Sequence, residues 1–432
     1  MVYLQPLPQE AAKLRFRMDW IAAVRDDGSK IPLPLSMTEL QGADLTGLQK
    51  LLASGILPPG SYSGLSIKVK SAWVQTEEGE IALLVPQDPV FAAKLFQVKP
   101  KSALTLFLTF KAAGAVSGSI NFTPDFSLAT SGGILINLTG YVSNSEGNMI
   151  TVFNKKTMRV VNAILTGRRP RGMALDQRRT RAYVAVSADD AVEIYDVFKS
   201  KFIGSIQLNF GDNPIDLALT PDGRTLLSVN HSSNTVSIID AFARTELRRI
   251  RVGDGPTSAV VAPSGLKAYI TNSRSNTVSV VDLTQRTLTV TIPVDGSPLR
   301  AAFNRAGNRL YVVSANSPNL SLIDPLRFTV TDKIFVGMGA VSIKVDFLSG
   351  LILVGKKFGG EIAIVEPASL IFIDSIKVGG EVALITIDRQ ENALFVVLPE
   401  KRLLRRVNLT SKKIVAELDV GKGAYAVVAM GE

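Results

Sequence analysis

The stretch YITNSRSNTVSVVDL, residues 269–283, reads as strand, polar turn, strand. Tyr, Ile, Val and Thr flank a Ser/Arg/Asn cluster, the composition that strands and turns favour. The chain writes it repeatedly. YVSNSEGNMITVFNK begins at Tyr141, YVAVSADDAVEIYDV at Tyr183, LLSVNHSSNTVSIIDA at Leu226 and YVVSANSPNLSLIDP at Tyr311. Weaker copies, ILVGKKFGGEIAIVEP and FVVLPEKRLLRRVNL, begin at Ile352 and Phe395. Later copies follow one another at 41 to 43 residues. A period of this size outranks every other signal, because missing it misassigns the fold.

One period, Pro256 to Val294, shows the plan. TSAVVAP is a short apolar strand, SGLK a turn, AYITNS a second strand, RSN a turn, TVSVVDL a third strand, TQRT a turn and LTVTIPV a fourth strand. Four short antiparallel strands per 40-odd residues, with no helical period between them, describe propeller blades. A blade cannot bury both sheet faces alone, so blades must pack on neighbours and the ring must close. The copies predict an all-β, seven-bladed β-propeller of four-stranded antiparallel blades over residues 131–432. The first strands align at Gly172, Asp216, Ser258, Arg300, Ser342, Leu384 and Ala426. The last of these, AYAVVAM at 424–430, has no later partners in its own period. It is expected to close the ring as the innermost strand of the first blade, and GILINLT at 133–139 competes for that place.

Residues 1–130 carry no copy of the repeat. LRFRMDW (14–20), LSIKVKSAWV (65–74) and LTLFLTF (104–110) alternate as half-buried strands do. DLTGLQKLLAS (44–54) places four leucines on one helical face, with Asp44 as cap and Gly55 as stop. The expectation is a β-sandwich-like domain containing one short helix.

The repeat resembles the YVTN-family β-propellers over roughly residues 140–432. The likeness rests on YVSN, YITN, NTVSIID, NTVSVVD, GDGPTSAVVAPSG and NPIDLALTPDGR. The last two copies, ILVGKK and FVVLPEKR, lack the Asn of the second strand. The resemblance implies secreted, periplasmic or cell-surface bacterial and archaeal proteins, mostly non-catalytic, and no single ligand. Residues 12–128, with LPPGSYSGLSI, resemble a domain of unknown function common near the N-terminus of bacterial lipoproteins. Lipoproteins need a lipidated cysteine, and this sequence has none.

Composition narrows the chemistry. The absence of cysteine removes disulfides, thiolate metal sites and cysteine nucleophiles. The one histidine, His231, leaves little material for zinc, haem or a catalytic triad. It sits in VNHSSNTV, a polar turn, and reads as a solvated loop residue. No apolar run is long enough to span a membrane. No cofactor motif appears, and no cofactor is expected.

The net charge of +10 favours anionic partners. The loops joining fourth to first and second to third strands lie on one end of a propeller. They bring Arg168, Arg169, Arg171, Arg274, Arg300, Lys356, Lys357, Lys401, Arg402 and Lys422 to one rim. Arg171, Asp216, His231, Arg274, Arg300 and Lys356 are the candidate binding residues there. Arg300 either binds a carboxylate or phosphate bidentately or pairs with Asp216 or Asp295 as a structural contact. The opposite end is basic too, through Lys155, Lys156, Arg178, Arg179, Arg181, Lys199, Lys201, Arg224, Arg244 and Arg286. Aromatic residues are only 7%, and the repeated tyrosines sit mid-strand, which disfavours nucleic acid, whose binding wants stacking platforms. The function expected first is a non-catalytic extracytoplasmic binding or scaffold protein, whose rim takes a protein or an acidic polymer such as a glycan. The alternatives are a propeller enzyme or enzyme subunit acting at the channel mouth, and a nucleic-acid-binding propeller.

Overall fold

A computed structural model of the chain describes residues 1–118, 120–132 and 136–431. Its contacts fall into two units, Met1–Ile134 with Arg159–Leu165, and Leu135–Met158 with Thr166–Glu432.

In the first unit, two long strands, Leu14–Arg25 and Gly60–Thr76, pair antiparallel and collect four shorter strands into a six-stranded sheet. Leu14, Phe16 and Met18 are buried while Arg17 and Asp19 are exposed, as their alternation requires. A four-stranded sheet runs in the order Asp125–Thr130, Leu106–Lys111, Val2–Leu4, Lys50–Ala53. One core holds residues from both sheets, with the Phe16 ring 5.4 Å from those of Phe110 and Phe122. The helix expected at 44–54 is mostly absent. Only Gly42–Leu45 is helical, and Lys50–Ala53 is a strand paired with Val2–Leu4. Gly47 turns the chain at φ 79°, and the leucine spacing that suits one helical face also supplies a strand whose Leu52 is buried. Sheet pairing outweighs helix propensity here.

The repeat folds as four-stranded antiparallel sheets, seven among the described residues. Sheet 1 runs Arg159–Leu165, Met149–Asn154, Thr139–Asn144, Ala424–Ala429. In sheets 2 to 7 the strands follow in chain order, with first strands Pro170–Asp176, Pro214–Leu219, Pro256–Val261, Pro298–Phe303, Ala340–Val345 and Leu384–Asp388. These first strands neighbour one another in turn, and Ala424–Ala429 lies between the first strands of sheets 7 and 2. The result is a closed ring of inner strands, the architecture of a β-propeller. Tyr141 faces Val428 and Gly140 faces Ala429 across the pairing of Thr139–Asn144 with Ala424–Ala429. Of the competing stretch, 133–135 lie outside the described residues and Ile136–Leu138 is a 3-10 turn.

The quoted stretch now has a physical reading. The Tyr269 ring is buried, and its hydroxyl donates to Pro325 O of the next sheet at 3.2 Å. Asn272, also buried, donates to Thr277 Oγ1 and Ser279 Oγ on the third strand at 3.1 and 3.0 Å. Asn276 takes the left-handed conformation, φ 54°, that the turn needs, and its Oδ1 accepts from Ser297 N at 2.7 Å. Asp282 Oδ1 accepts from Thr284 N and Gln285 N, forming the turn into the fourth strand. Asn272 thus pairs hydroxyls that the sheet buries, while Asn276 and Asp282 fix the exposed turns.

Candidate functional site

The first strands wall a central channel that encloses about 490 Å³ and runs from Asp216, Ser258 and Arg300 near one mouth to Phe347 and Arg389 near the other. Most of the wall is aliphatic. A register shift opens each first strand of sheets 2 to 6, as between Pro256 and Ser258 or Pro298 and Arg300. The residue that follows the shift therefore occupies one level of the ring.

Asp216 and Arg300 meet at that level. Arg300 Nη1 stands 3.5 Å from Asp216 Oδ2, with both side chains largely withdrawn from solvent. Burial pushes the Asp216 carboxyl up, and Arg300 together with the N–H groups of Leu217 and Ala259 pulls against it. Gly172 completes the packing, because a Cβ there would come within 2.5 Å of the Asp216 Cα. Asp295, the other partner considered for Arg300, instead takes Lys333 at 2.7 Å.

The remaining candidates separate. Arg171 lies on the inner strand of sheet 2, its guanidinium 5.3 Å from the centre of the Tyr425 ring. His231 is half-buried, a correction to the solvated turn expected. Its Nδ1 lies 2.9 Å from Pro256 O, which fixes that nitrogen as the donor, and its Nε2 faces Arg274 Nη2 at 3.4 Å. Arg274 is exposed. Lys356 is buried and pairs with Glu361 at 3.1 Å, and Glu361 also takes Lys377 at 2.6 Å. It occupies the second-strand place of Asn272 and is a packing residue of sheet 6. On the opposite end Lys155 is not a surface charge, for its side chain is fully buried against Asp388.

Two residues on or just beyond the inner strands escaped the sequence reading, of which Arg389 lines the channel. Tyr425 immediately precedes Ala426 as Arg171 precedes Gly172, so the alignment placed both at one level. Arg389, 4.3 Å from the Phe347 ring, lies one residue beyond a first strand, where the repeat pattern is silent. Among the described residues no three His, Asp or Glu side chains gather as a metal site. Among the described residues no helix is long and apolar enough to cross a membrane.

No protein-family model matches the chain, and no curated protein matches it either. Solved structures do. A functionally unknown protein from Desulfotomaculum acetoxidans has a TM-score of 0.61 at 14% identity, over 67% of this chain and 98% of that one. The dihydro-haem d1 dehydrogenase NirN, in complex with DHE, gives 0.54 at 14%, over 68% and 75%. Hydrazine synthase from Kuenenia stuttgartiensis gives 0.53 at 17%, over 59% and 87%. These likenesses support the β-propeller fold and, at such identities, extend to the fold alone.

Proposed function

We propose that the chain is a non-catalytic, extracytoplasmic binding protein. In this reading it is a YVTN-type propeller of seven blades, closed by Ala424–Ala429 as the innermost strand of the first blade. A β-sandwich-like domain over residues 1–130 precedes it. The propeller presents the end bearing the second-to-third-strand turns to an anionic partner, a protein or an acidic glycan. One observation carries this. Arg274, Lys357, Lys401, Arg402 and Lys422 are exposed at that end, and none has a carboxylate partner among the described residues. Exposed, unpaired cations around a channel mouth attract polyanions and contribute little to stability.

A heparin-type sulfated glycan tests it. Binding is expected at low salt and should weaken steeply as the Debye length falls from about 10 Å at 0.1 M to about 3 Å at 1 M. Replacing Arg274, Lys357 and Arg402 together by Ala should reduce affinity at least tenfold. Arg178→Ala with Arg286→Ala, at the other end, should change it less than twofold. Equal losses from both sets would reduce the binding to net charge and overturn the reading.

A further inference from the structure

The channel has a chemistry distinct from that of the exposed end. Much of its wall is aliphatic, including Leu217, Val260, Ala302, Ile343, Ile385 and Val427, while Ser258, Lys344, Thr386 and Arg389 add polar groups beside Asp216 and Arg300. Its volume falls in the range of about 300–1,000 Å³ typical of small-molecule sites, which combine an apolar lining with a few fixed polar groups. Arg300 is such a group. Its guanidinium carries five N–H donors, and among the described residues its only contact is the 3.5 Å approach to one oxygen of Asp216. Asp216 does not engage it bidentately: one oxygen stands 3.5 Å away, and Lys344 and the N–H groups of Leu217 and Ala259 also draw on that carboxyl. A largely withdrawn guanidinium with spare donors, at one end of an aliphatic tunnel, lacks a bidentate acceptor.

We infer that the channel is a binding site for an amphipathic monocarboxylate, its carboxylate seated on Arg300 and its aliphatic body laid along the first strands toward Phe347. The Asp216 carboxyl beside Arg300 disfavours a second negative charge on the ligand.

Isothermal titration of the full chain with dodecanoate, dodecanol, dodecylammonium and acetate separates the contributions. Dodecanoate should saturate a single site. Acetate, lacking the body, and dodecylammonium, with the wrong sign, should not bind, and dodecanol should bind at least tenfold more weakly than the acid. Arg300→Gln should weaken dodecanoate by about 10- to 100-fold, the loss of a charge-assisted bond, and Arg300→Lys by less. Asp216→Asn has the opposite sign. It removes the competing carboxylate, so dodecanoate should bind several-fold more tightly. The exposed-end variants Arg274→Ala and Lys357→Ala should leave dodecanoate unchanged, which keeps this test independent of the glycan test. No saturable binding to the folded parent would overturn the inference. So would binding that Arg300→Gln leaves intact in a cooperatively melting variant, or equal affinity for acid and alcohol. Should Arg300→Gln fail to fold, the acid–alcohol difference and Asp216→Asn still decide.

Discussion

Two junctions of one kind contrast with the seam of the ring. Between sheets 2 and 3, and between sheets 4 and 5, a buried tyrosine reaches the backbone of the next sheet. Tyr183 donates to Ala241 O at 3.4 Å and Tyr269 to Pro325 O at 3.2 Å. Burial and the nearby Asp324 push the Tyr269 phenol up to about 12, so its hydroxyl keeps the proton it donates. At the seam between sheets 7 and 1 the same place holds Phe395, which has no hydroxyl and packs edge-on against Phe153 at 5.5 Å. There the next sheet offers Lys155, the counterpart of Ala241 and Pro325. Its ammonium pairs with Asp388 at 2.8 Å and also donates to Met430 O, with both charged side chains fully buried.

The difference follows from connectivity. Sheets 2 and 3, and sheets 4 and 5, follow one another directly in the chain, so a neutral bond suffices to set their packing. At the seam a short loop leads from Ile414–Asp419 into Ala424–Ala429, but that strand joins Thr139–Asn144, from the far end of the ring's sequence, by pairing alone. A buried ion pair is costly to desolvate, but once one partner is in place the other is required. We read the pair as a register device that accepts one arrangement of the C-terminal strand.

The sharpest way to break this comparison is Lys155→Met. It leaves Asp388 buried without its cation and should cost about 3–5 kcal/mol, read as a lower urea midpoint. Adding Asp388→Leu should recover most of the loss, because two apolar groups no longer require each other. If the single change costs less than about 1 kcal/mol, strand pairing alone closes the ring and the pair is incidental.

The ordinary junction should respond more mildly. Tyr269→Phe keeps the buried ring and removes one hydroxyl, so about 1 kcal/mol is expected from the unsatisfied Pro325 carbonyl. A loss as large as that of Lys155→Met would mean that the two junctions do not differ in kind.

How much of this was legible varies with the repeat. Where YITN and NTVS recur, strand order, register and the ring level of Asp216 and Arg300 follow from alignment, because identical letters meet identical surroundings. Sheets 6 and 7 replace the buried Asn with Lys356 and Leu398. A lysine beside a glycine-rich turn looks like a surface charge, and only the fold reveals Glu361 across the turn. Lys155 is the same case, since Asp388 lies far away in sequence. The first unit has no period to average over, and its leucine-rich stretch fits helix and strand equally until the pairing with Val2–Leu4 decides. One signal was open to the sequence and missed. Four residues after the last acid or Asn of each third strand, at Met158, Ser200, Arg244, Arg286, Phe328, Leu370 and Lys412, the backbone is left-handed in every sheet. No glycine marks those positions, and the invariant spacing does.

Those turns supply the mildest test, because they are the same in seam-forming and ordinary sheets. Backbone N–H groups of Gln285 and Thr284 hold Asp282 below the usual carboxylate range, and those of Leu326 and Arg327 do the same for Asp324. The Ser369 hydroxyl, with the N–H groups of Ala368 and Ser369, lowers Glu366. Lowered in the folded state, each group contributes stability that is present above its unfolded value, near 4 for such acids, and is lost as pH falls through the folded value. Asp216 acts oppositely. Its carboxyl is raised by burial, so it favours the fold below its unfolded value and opposes it once pH exceeds the folded one. Urea midpoints between about pH 7 and pH 2 should therefore fall on the acid side through the turns. Asp324→Asn retains a side-chain oxygen for the turn and should flatten that decline slightly. Asp216→Asn should raise the midpoint at neutral pH, leave it unchanged near pH 2 and so steepen the acid decline. The turn acids are solvent-screened, so each change should be small beside that of Lys155→Met. A shift from Asp324→Asn as large as the seam's would place the ring's stability in its turns, and the contrast between junctions would lose its meaning.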